Sequence, residues 1–336
     1  MRPGHSQFPF SRRPEDVYSR DGLRLPTVEV LLAAPRGFCA GVRRAIQAVR
    51  DALELHGAPI YVRHAIVHND AVVSELEREG AIFVENLADV PRGSVVIFSA
   101  HGVSPAIARE AQRHGLRAYD AVCPLVAKVH REVGRYHRGG RHVVMVGHAG
   151  HVEVAGTLGH LPDGTASVVS SREDVSALPF AADEPLAFVI QTTFSTGEAA
   201  DIVAALNERF SDLAAPRTSD ICYATTNRQL ALRTIAPAVE AVIVAGASFS
   251  SNANRLAELA RETCRSVQLI DSADSLQWNA LPILGGRIGL TAAASTPEST
   301  VDEILAALSR RYRVSVREVV SVAETQQFAP LPIGPA

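Results

Sequence analysis

The sequence predicts an α/β protein built on parallel sheets, and three features of its 336 residues carry that expectation. Short apolar runs rich in β-branched residues recur along the chain. Stretches with helical spacing separate them, and polar residues crowd just after the runs.

The apolar runs, in order, are Val28–Ala34, Ile60–Val62, Val95–Phe98, Val143–Val146, Leu186–Ile190, Ala241–Ala245 and Arg287–Leu290. A strand covered on both faces has a continuous apolar pattern rather than an alternating one, so these runs read as buried parallel strands. Val42, Ile46, Val49 and Leu53 fall on one helical face. So do Leu125, Val129 and Val133, and Val301, Ile304, Leu305 and Leu308. Alternation of strand and helix excludes all-β and all-α folds.

The strand ends are unusual. They run into Ser99-Ala100-His101-Gly102, Gly147-His148-Ala149-Gly150-His151, Gln191-Thr192-Thr193 and Gly246-Ala247-Ser248-Phe249-Ser250-Ser251-Asn252, and the last into Thr291 and then Ser295. Open parallel sheets bind ligands at the carboxyl ends of their strands. Glycine, histidine, serine, threonine and asparagine there suit anionic oxygens. One such loop is equally ordinary turn chemistry; five in one chain predict a site.

Composition narrows the function classes. Apolar residues make up 47% of the chain, enough for a large core, and at about 100–200 residues per domain the length predicts two or three domains. A net charge of -3 argues against nucleic acid and anionic membrane as partners. An aromatic content of 5% argues against base-stacking platforms. No apolar run reaches the roughly 18 residues that span a bilayer. The start carries Arg2, Arg12, Arg13, Arg20 and Arg24 but no apolar core, so it is not a secretory signal. Glu15, Asp16 and Asp21 argue against a transit peptide. Residues 1–26 read as a flexible extension, and the protein is expected in the cytoplasm.

Four cysteines are too few for a disulfide framework, and reduced, widely spaced thiols more often bind metal or catalyse. Cys39, Cys123 and Cys222 each stand just before a helical pattern, at spacings of 84 and 99 residues. That spacing suits a small α/β unit and suggests a pseudo-threefold plan, each unit giving one thiol to a shared centre. Helix N-termini lower thiol pKa and favour bound anions. Three thiolates can hold a cubane cluster by three corners, leaving one iron open as a Lewis acid. Spacing alone does not separate a cluster from zinc. Cys264, late in a helical stretch, reads as a small buried hydrophobe. His148 and His151 sit in a loop, a poor setting for a metal pair. Glu153, two residues beyond His151, would face the same side in an extended loop.

The segment Ala34-Pro35-Arg36-Gly37-Phe38-Cys39-Ala40-Gly41-Val42 resembles the opening motif of the LytB/IspH family, the hydroxymethylbutenyl diphosphate reductases of non-mevalonate isoprenoid synthesis. Further segments resemble the family in order. They are Val67-His68-Asn69, Phe98–Ser104, Cys123-Pro124-Leu125-Val126 with Lys128-Val129-His130, Gly147–His151, Gln191-Thr192-Thr193, Ile221–Gln229 and Ser250-Ser251-Asn252. The likeness runs from about residue 28 to about 330. It implies three α/β domains around a central [4Fe-4S] cluster held by Cys39, Cys123 and Cys222. It implies that His68, His101, His151, Ser250, Ser251, Asn252 and Ser295 bind the diphosphate, with His148 in support. It implies that Glu153 supplies protons and Thr192 orients Glu153 and the substrate hydroxyl.

The expected domains are 27–122, 123–218 and 219–311, with a tail over 312–336 and the strand before Cys39 able to pack on the third domain. The implied reaction removes the allylic hydroxyl to give isopentenyl and dimethylallyl diphosphate, with ferredoxin or flavodoxin as one-electron donor. No G-x-G-x-x-G fingerprint points to a dinucleotide. Val152, Ala155, Phe194, Phe249, Ala253, Ala293 and Thr296 depart from the usual family residues. They keep open one rival, a diverged paralogue with altered substrate or no turnover; the other rival is a zinc or thiol enzyme using the same cysteines.

Overall fold

The computed structural model describes residues 25–282 and 285–334. The expected N-terminal extension lies outside the described residues as far as residue 24.

The chain opens with β1 (Thr27–Ala34), α1 (Ala40–His56), β2 (Ile60–Arg63), α2 (Asp70–Glu79), β3 (Ala81–Val84), β4 (Val95–Phe98), α3 (Pro105–Arg113) and β5 (Arg117–Asp120). It continues through α4 (Pro124–Arg138), β6 (His142–Val146), α5 (Val152–Leu158), β7 (Ala166–Val169), α6 (Arg172–Ala177), β8 (Leu186–Ile190), α7 (Thr196–Arg209) and β9 (Leu213–Ala214). It ends with α8 (Tyr223–Ile235), β10 (Ala241–Ala245), α9 (Ser251–Arg261), β11 (Ser266–Ile270), β12 (Gly286–Ala292), α10 (Glu298–Ser309) and β13 (Arg313–Val320).

Three sheets form, with strand orders β3-β2-β4-β5, β7-β6-β8-β9 and β11-β10-β12-β1-β13, and all their pairs are parallel. The orders repeat. In each sheet a first strand pairs with the second on one side and the third on the other, and a fourth follows the third. In the last sheet the fourth place is taken by β1, from the start of the chain, in register Val28↔Gly286 through Leu32↔Leu290. Each fourth strand leads into a helix that packs on the next sheet: β5 into α4, β9 into α8 and β1 into α1. Cys123, Cys222 and Cys39 cap those three helices. The pseudo-threefold plan therefore has a structural cause: each cysteine stands where the chain crosses from one unit to the next.

Segment 312–336 is more than the tail expected for it. Its β13 pairs with β1 from Thr27↔Arg313 to Ala34↔Val320. Beyond β13, Leu331 and Ile333 pack against the core of the sheet that contains β2 and β4. Pro330 and Pro332 exclude a helix there, so this stretch joins two units as an extended strap. Among the described residues no helix is long and apolar enough to cross a membrane.

Candidate active site at the junction of three sheets

Apart from the supporting His148, every residue expected at the site lines one pocket: the three cysteines, His68, His101, His151, Glu153, Thr192, Ser250, Ser251, Asn252 and Ser295. Lining it too are Gly41, Thr193, Tyr223, Thr225, Ala294 and Phe328.

The thiols arrive on helix N-termini. Cys39 Sγ accepts from Val42 N–H at 3.4 Å, and Cys222 Sγ from Thr225 N–H at 3.3 Å. Pro124, at the first helical position of α4, keeps Cys123 at the helix entrance without needing a backbone donor. Gly41 lets the sulfurs converge: a Cβ there would stand 2.7 Å from Cys123 Sγ and 3.8 Å from Cys39 Sγ. Burial pushes the Cys123 thiol up to about 12 and the Cys222 thiol up to about 11, and neighbouring thiols add to both. A nucleophilic cysteine needs a depressed pKa, so these two are inert unless a cationic centre draws off their protons. Among the described residues no three His, Cys, Asp or Glu side chains are placed to hold a single metal ion.

Glu153 is 2% exposed. Its Oε1 accepts from Thr192 N–H at 2.6 Å and its Oε2 from the Thr192 hydroxyl at 2.9 Å. Desolvation raises its pKa to about 7, against the opposing effect of the two Thr192 hydrogen bonds. Thr192 also accepts from Cys222 N–H at 3.0 Å, so the carboxyl and a thiol share one support. The expected extended loop is instead the start of a helix: His151 caps α5, and Glu153 lies in its first turn.

That cap decides a tautomer. His151 Nδ1 accepts from Glu153 N–H at 3.1 Å, so it carries no proton. Burial lowers the His151 pKa to about 4. The neutral ring therefore holds its hydrogen on Nε2, a buried nitrogen with no partner. An unpaired buried donor costs about 1–3 kcal/mol, and an anion in the pocket would satisfy it. The His68 ring stacks on His101 with centroids 4.1 Å apart and meets His151 edge-on at 5.5 Å. Desolvation lowers His68 to about 4 and takes His101 well down. All three are neutral near pH 7, and a multiply charged anion would draw protons onto them.

The opposite wall begins α9. Ser250 Oγ accepts from Ala253 N–H at 3.4 Å, leaving its own hydroxyl hydrogen free. Ser251 accepts from Thr193 at 3.2 Å. Asn252 Oδ1 accepts from Ala294 N–H at 2.9 Å, and Ser295 donates to His68 O at 2.9 Å. A helix N-terminus with two serines and an asparagine favours negative charge.

His148 stands apart. It does not line the pocket; its Nε2 lies 3.1 Å from Arg255 and its ring 4.9 Å from Phe194. Cys264 is buried, three residues past the end of α9, and its Sγ donates to Ser266 O at 3.4 Å. Sequence reasoning missed Tyr223, whose hydroxyl accepts from Ala40 N–H at 3.0 Å beside Cys39. It also missed Phe328 and the fully buried Arg228. Arg228 donates to Gly37 O at 2.6 Å and pairs with Glu324 at 3.0 Å. The departures fall outside the pocket wall. Val152 takes the first position of α5, where proline is favoured but not needed. Ala155 is exposed. Ala253 and Ala293 are small residues packed against Gly246.

The scaffold and site define a class: an α/β enzyme with a pocket lined by three thiols, a carboxyl poised near pH 7, neutral histidines and the hydroxyls at the start of α9. A family model described as LytB protein matches residues 30–309. The chain belongs to the LytB family. It is 50% identical over 309 residues to the 4-hydroxy-3-methylbut-2-enyl diphosphate reductase of Beijerinckia indica, covering 91% of this chain and 96% of the relative. It is 50% identical over 308 residues to the enzyme of that name from Methylibium petroleiphilum, covering 91% and 92%. The solved structure of the E-1-hydroxy-2-methyl-but-2-enyl-4-diphosphate reductase of Plasmodium falciparum superposes with a TM-score of 0.85 at 38% identity, covering 91% of this chain and 96% of that one. A second reductase structure, of the terminal enzyme of the non-mevalonate pathway, gives 0.61 at 31% identity, covering 84% and 99%.

Proposed function

We infer that this chain reduces (E)-4-hydroxy-3-methylbut-2-enyl diphosphate to isopentenyl and dimethylallyl diphosphate, the last step of the non-mevalonate pathway. The observation that carries the reading is the continuity Cys222–Thr192–Glu153. A thiol position and a buried acid hang on the same residue, facing neutral histidines and the start of α9.

Cys39, Cys123 and Cys222 would hold a [4Fe-4S] cluster, which supplies single electrons and an open iron position. Replacing the allylic hydroxyl by hydrogen consumes two electrons and two protons and releases one water. Glu153, protonated up to about pH 7, gives its proton to the departing hydroxyl. A diphosphate beside it disfavours its charge further and keeps it loaded. Thr192 holds the carboxyl in place and presents its hydroxyl to the substrate oxygen. His68, His101 and His151, with Ser250, Ser251, Asn252 and Ser295, bind the diphosphate and orient the carbon chain toward the thiols. Phe328, on the strap, supplies part of the apolar wall. The one-electron donor is a ferredoxin or flavodoxin, and the setting is the cytoplasm.

The test is anaerobic purification with a visible spectrum and iron determination, then turnover of the substrate with dithionite and methyl viologen. Brown protein that turns over is expected. Brown protein without turnover would mean a binding paralogue, and colourless protein that iron and sulfide cannot reconstitute would sink the cluster.

A further inference from the structure

We propose that Gly156, Gly102 and His130 form a positioning joint that fixes where His101 stands relative to Glu153. The proposal rests on the diphosphate reading of the pocket.

The loop after β4 touches both a thiol position and the histidine cluster. Ala100 O accepts from Cys123 N–H at 2.9 Å, the His101 ring stacks on His68, and Gly102 turns the chain at φ +78. Two other elements press on that turn. A Cβ at Gly156 in α5 would meet Gly102 O at 3.0 Å, Gly102 C at 3.4 Å and His101 O at 3.7 Å. These are backbone atoms and cannot swing aside. A Cβ at Gly159 would lie 2.3 Å from Ser104 Cβ. From α4, the His130 ring stands where a Gly102 side chain would go, with Cε1 at 2.5 Å.

Glycine inside a helix costs about 1 kcal/mol relative to alanine. Gly156 lies inside a seven-residue helix, so the cost needs a reason, and close approach to the loop supplies one. His130 is buried, does not line the pocket, and leaves Nε2 unpartnered. Its ring packs on His160 with centroids 4.2 Å apart, and its Cε1 backs Gly102. Glu153, three residues before Gly156, is pinned independently by Thr192. Pressure at Gly156 therefore moves His101 while the acid stays.

The test is calorimetric binding of inorganic diphosphate to anaerobically purified holoprotein. Wild-type protein is expected to bind; if it does not, the diphosphate reading falls and the joint with it. Gly156→Ala should lose about tenfold in affinity, the worth of one displaced hydrogen bond to a charged group. Its iron content should be unchanged and its melting temperature close to that of the wild type, since the helix preference of alanine offsets the cost of shifting the turn. Gly134→Ala, in α4, should raise the melting temperature and leave binding alone. His130→Ala should weaken binding as well, and it carries the test if Gly156→Ala does not fold. Wild-type affinity in a folded Gly156→Ala or His130→Ala protein would overturn the joint.

Discussion

Thr192 engages both carboxylate oxygens of Glu153, one through its backbone N–H and one through its hydroxyl. Both bonds favour the carboxylate, yet burial outweighs them and leaves the pKa at about 7. The acid is loaded below that pH and empties above it, so turnover should fall on the alkaline side, with a midpoint at or above 7 once substrate is bound. Thr192→Val removes the hydroxyl bond only. It should move the alkaline limb upward and lower kcat. Glu153→Gln should keep iron and diphosphate binding while cutting kcat about 100-fold or more. Retained turnover in Glu153→Gln removes the residue from the proton path.

Iron content should separate Cys39 and Cys222 from Cys264. Cys222→Ser and Cys39→Ser each take one thiolate from the pocket and should lose the brown chromophore. Cys264→Ser should keep it, since its sulfur faces Ser266 O and a hydroxyl can make the same bond. Loss of iron in Cys264→Ser would mean the ligand set is misassigned.

Legibility in the sequence followed burial. Every strand anticipated from an apolar run is interior to its sheet: β1, β2, β4, β6, β8, β10 and β12. The strands not anticipated, β3, β5, β7, β9, β11 and β13, all lie at sheet edges. An edge strand has one unpaired side and a mixed environment, so Arg117–Asp120 and the largely exposed Arg313–Val320 lack the continuous apolar signature. The pocket residues were legible because strand ends and resembling motifs supply nearly all of them. Phe328 and Arg228 were not, because their roles depend on a strap whose path runs between two units. The helix over Val152–Leu158 was hidden by its shortness and by three glycines around it.

His151 has two tasks that one substitution can separate. Its Nδ1 caps α5, and its Nε2–H is buried without a partner on a ring that lines the pocket. Asparagine is among the best N-caps, while losing a cap costs about 0.5–2 kcal/mol. His151→Asn should therefore melt near the wild type, whereas His151→Ala melts lower. Both should bind inorganic diphosphate about tenfold or more weakly, since each lacks the imidazole donor. Calorimetry with thermal melts on the two variants decides it. Wild-type affinity in His151→Asn would place the anion elsewhere.

Glu324 is the partner of a fully buried guanidinium. Arg228 also donates to Gly37 O, two residues before Cys39, so the strap, α8 and the first thiol loop are bonded together. Removing the carboxylate strands the charge. Glu324→Gln should cost about 3 kcal/mol in denaturant unfolding, the usual order for breaking a buried pair. An unfolding free energy equal to that of the wild type would show that the carbonyl bonds suffice.

Phe249 is the departure closest to the chemistry. It is 47% exposed, and its ring meets His68 edge-on with centroids 5.7 Å apart. An aromatic edge there keeps water from one side of His68, whose pKa desolvation has already lowered to about 4. Phe249→Asn should relieve part of that desolvation. Protonation of His68 on arrival of the anion then costs less, so binding of inorganic diphosphate should tighten a few-fold. The sign fixes the pH dependence: the gain comes from the protonated imidazole, so it should be larger at pH 6 than at pH 8. A half-exposed ring contributes little to the core, so the melting temperature should hardly move. Calorimetry at the two pH values decides between this reading and a ring that only shapes the lip of the pocket, for which the change would be equal at both.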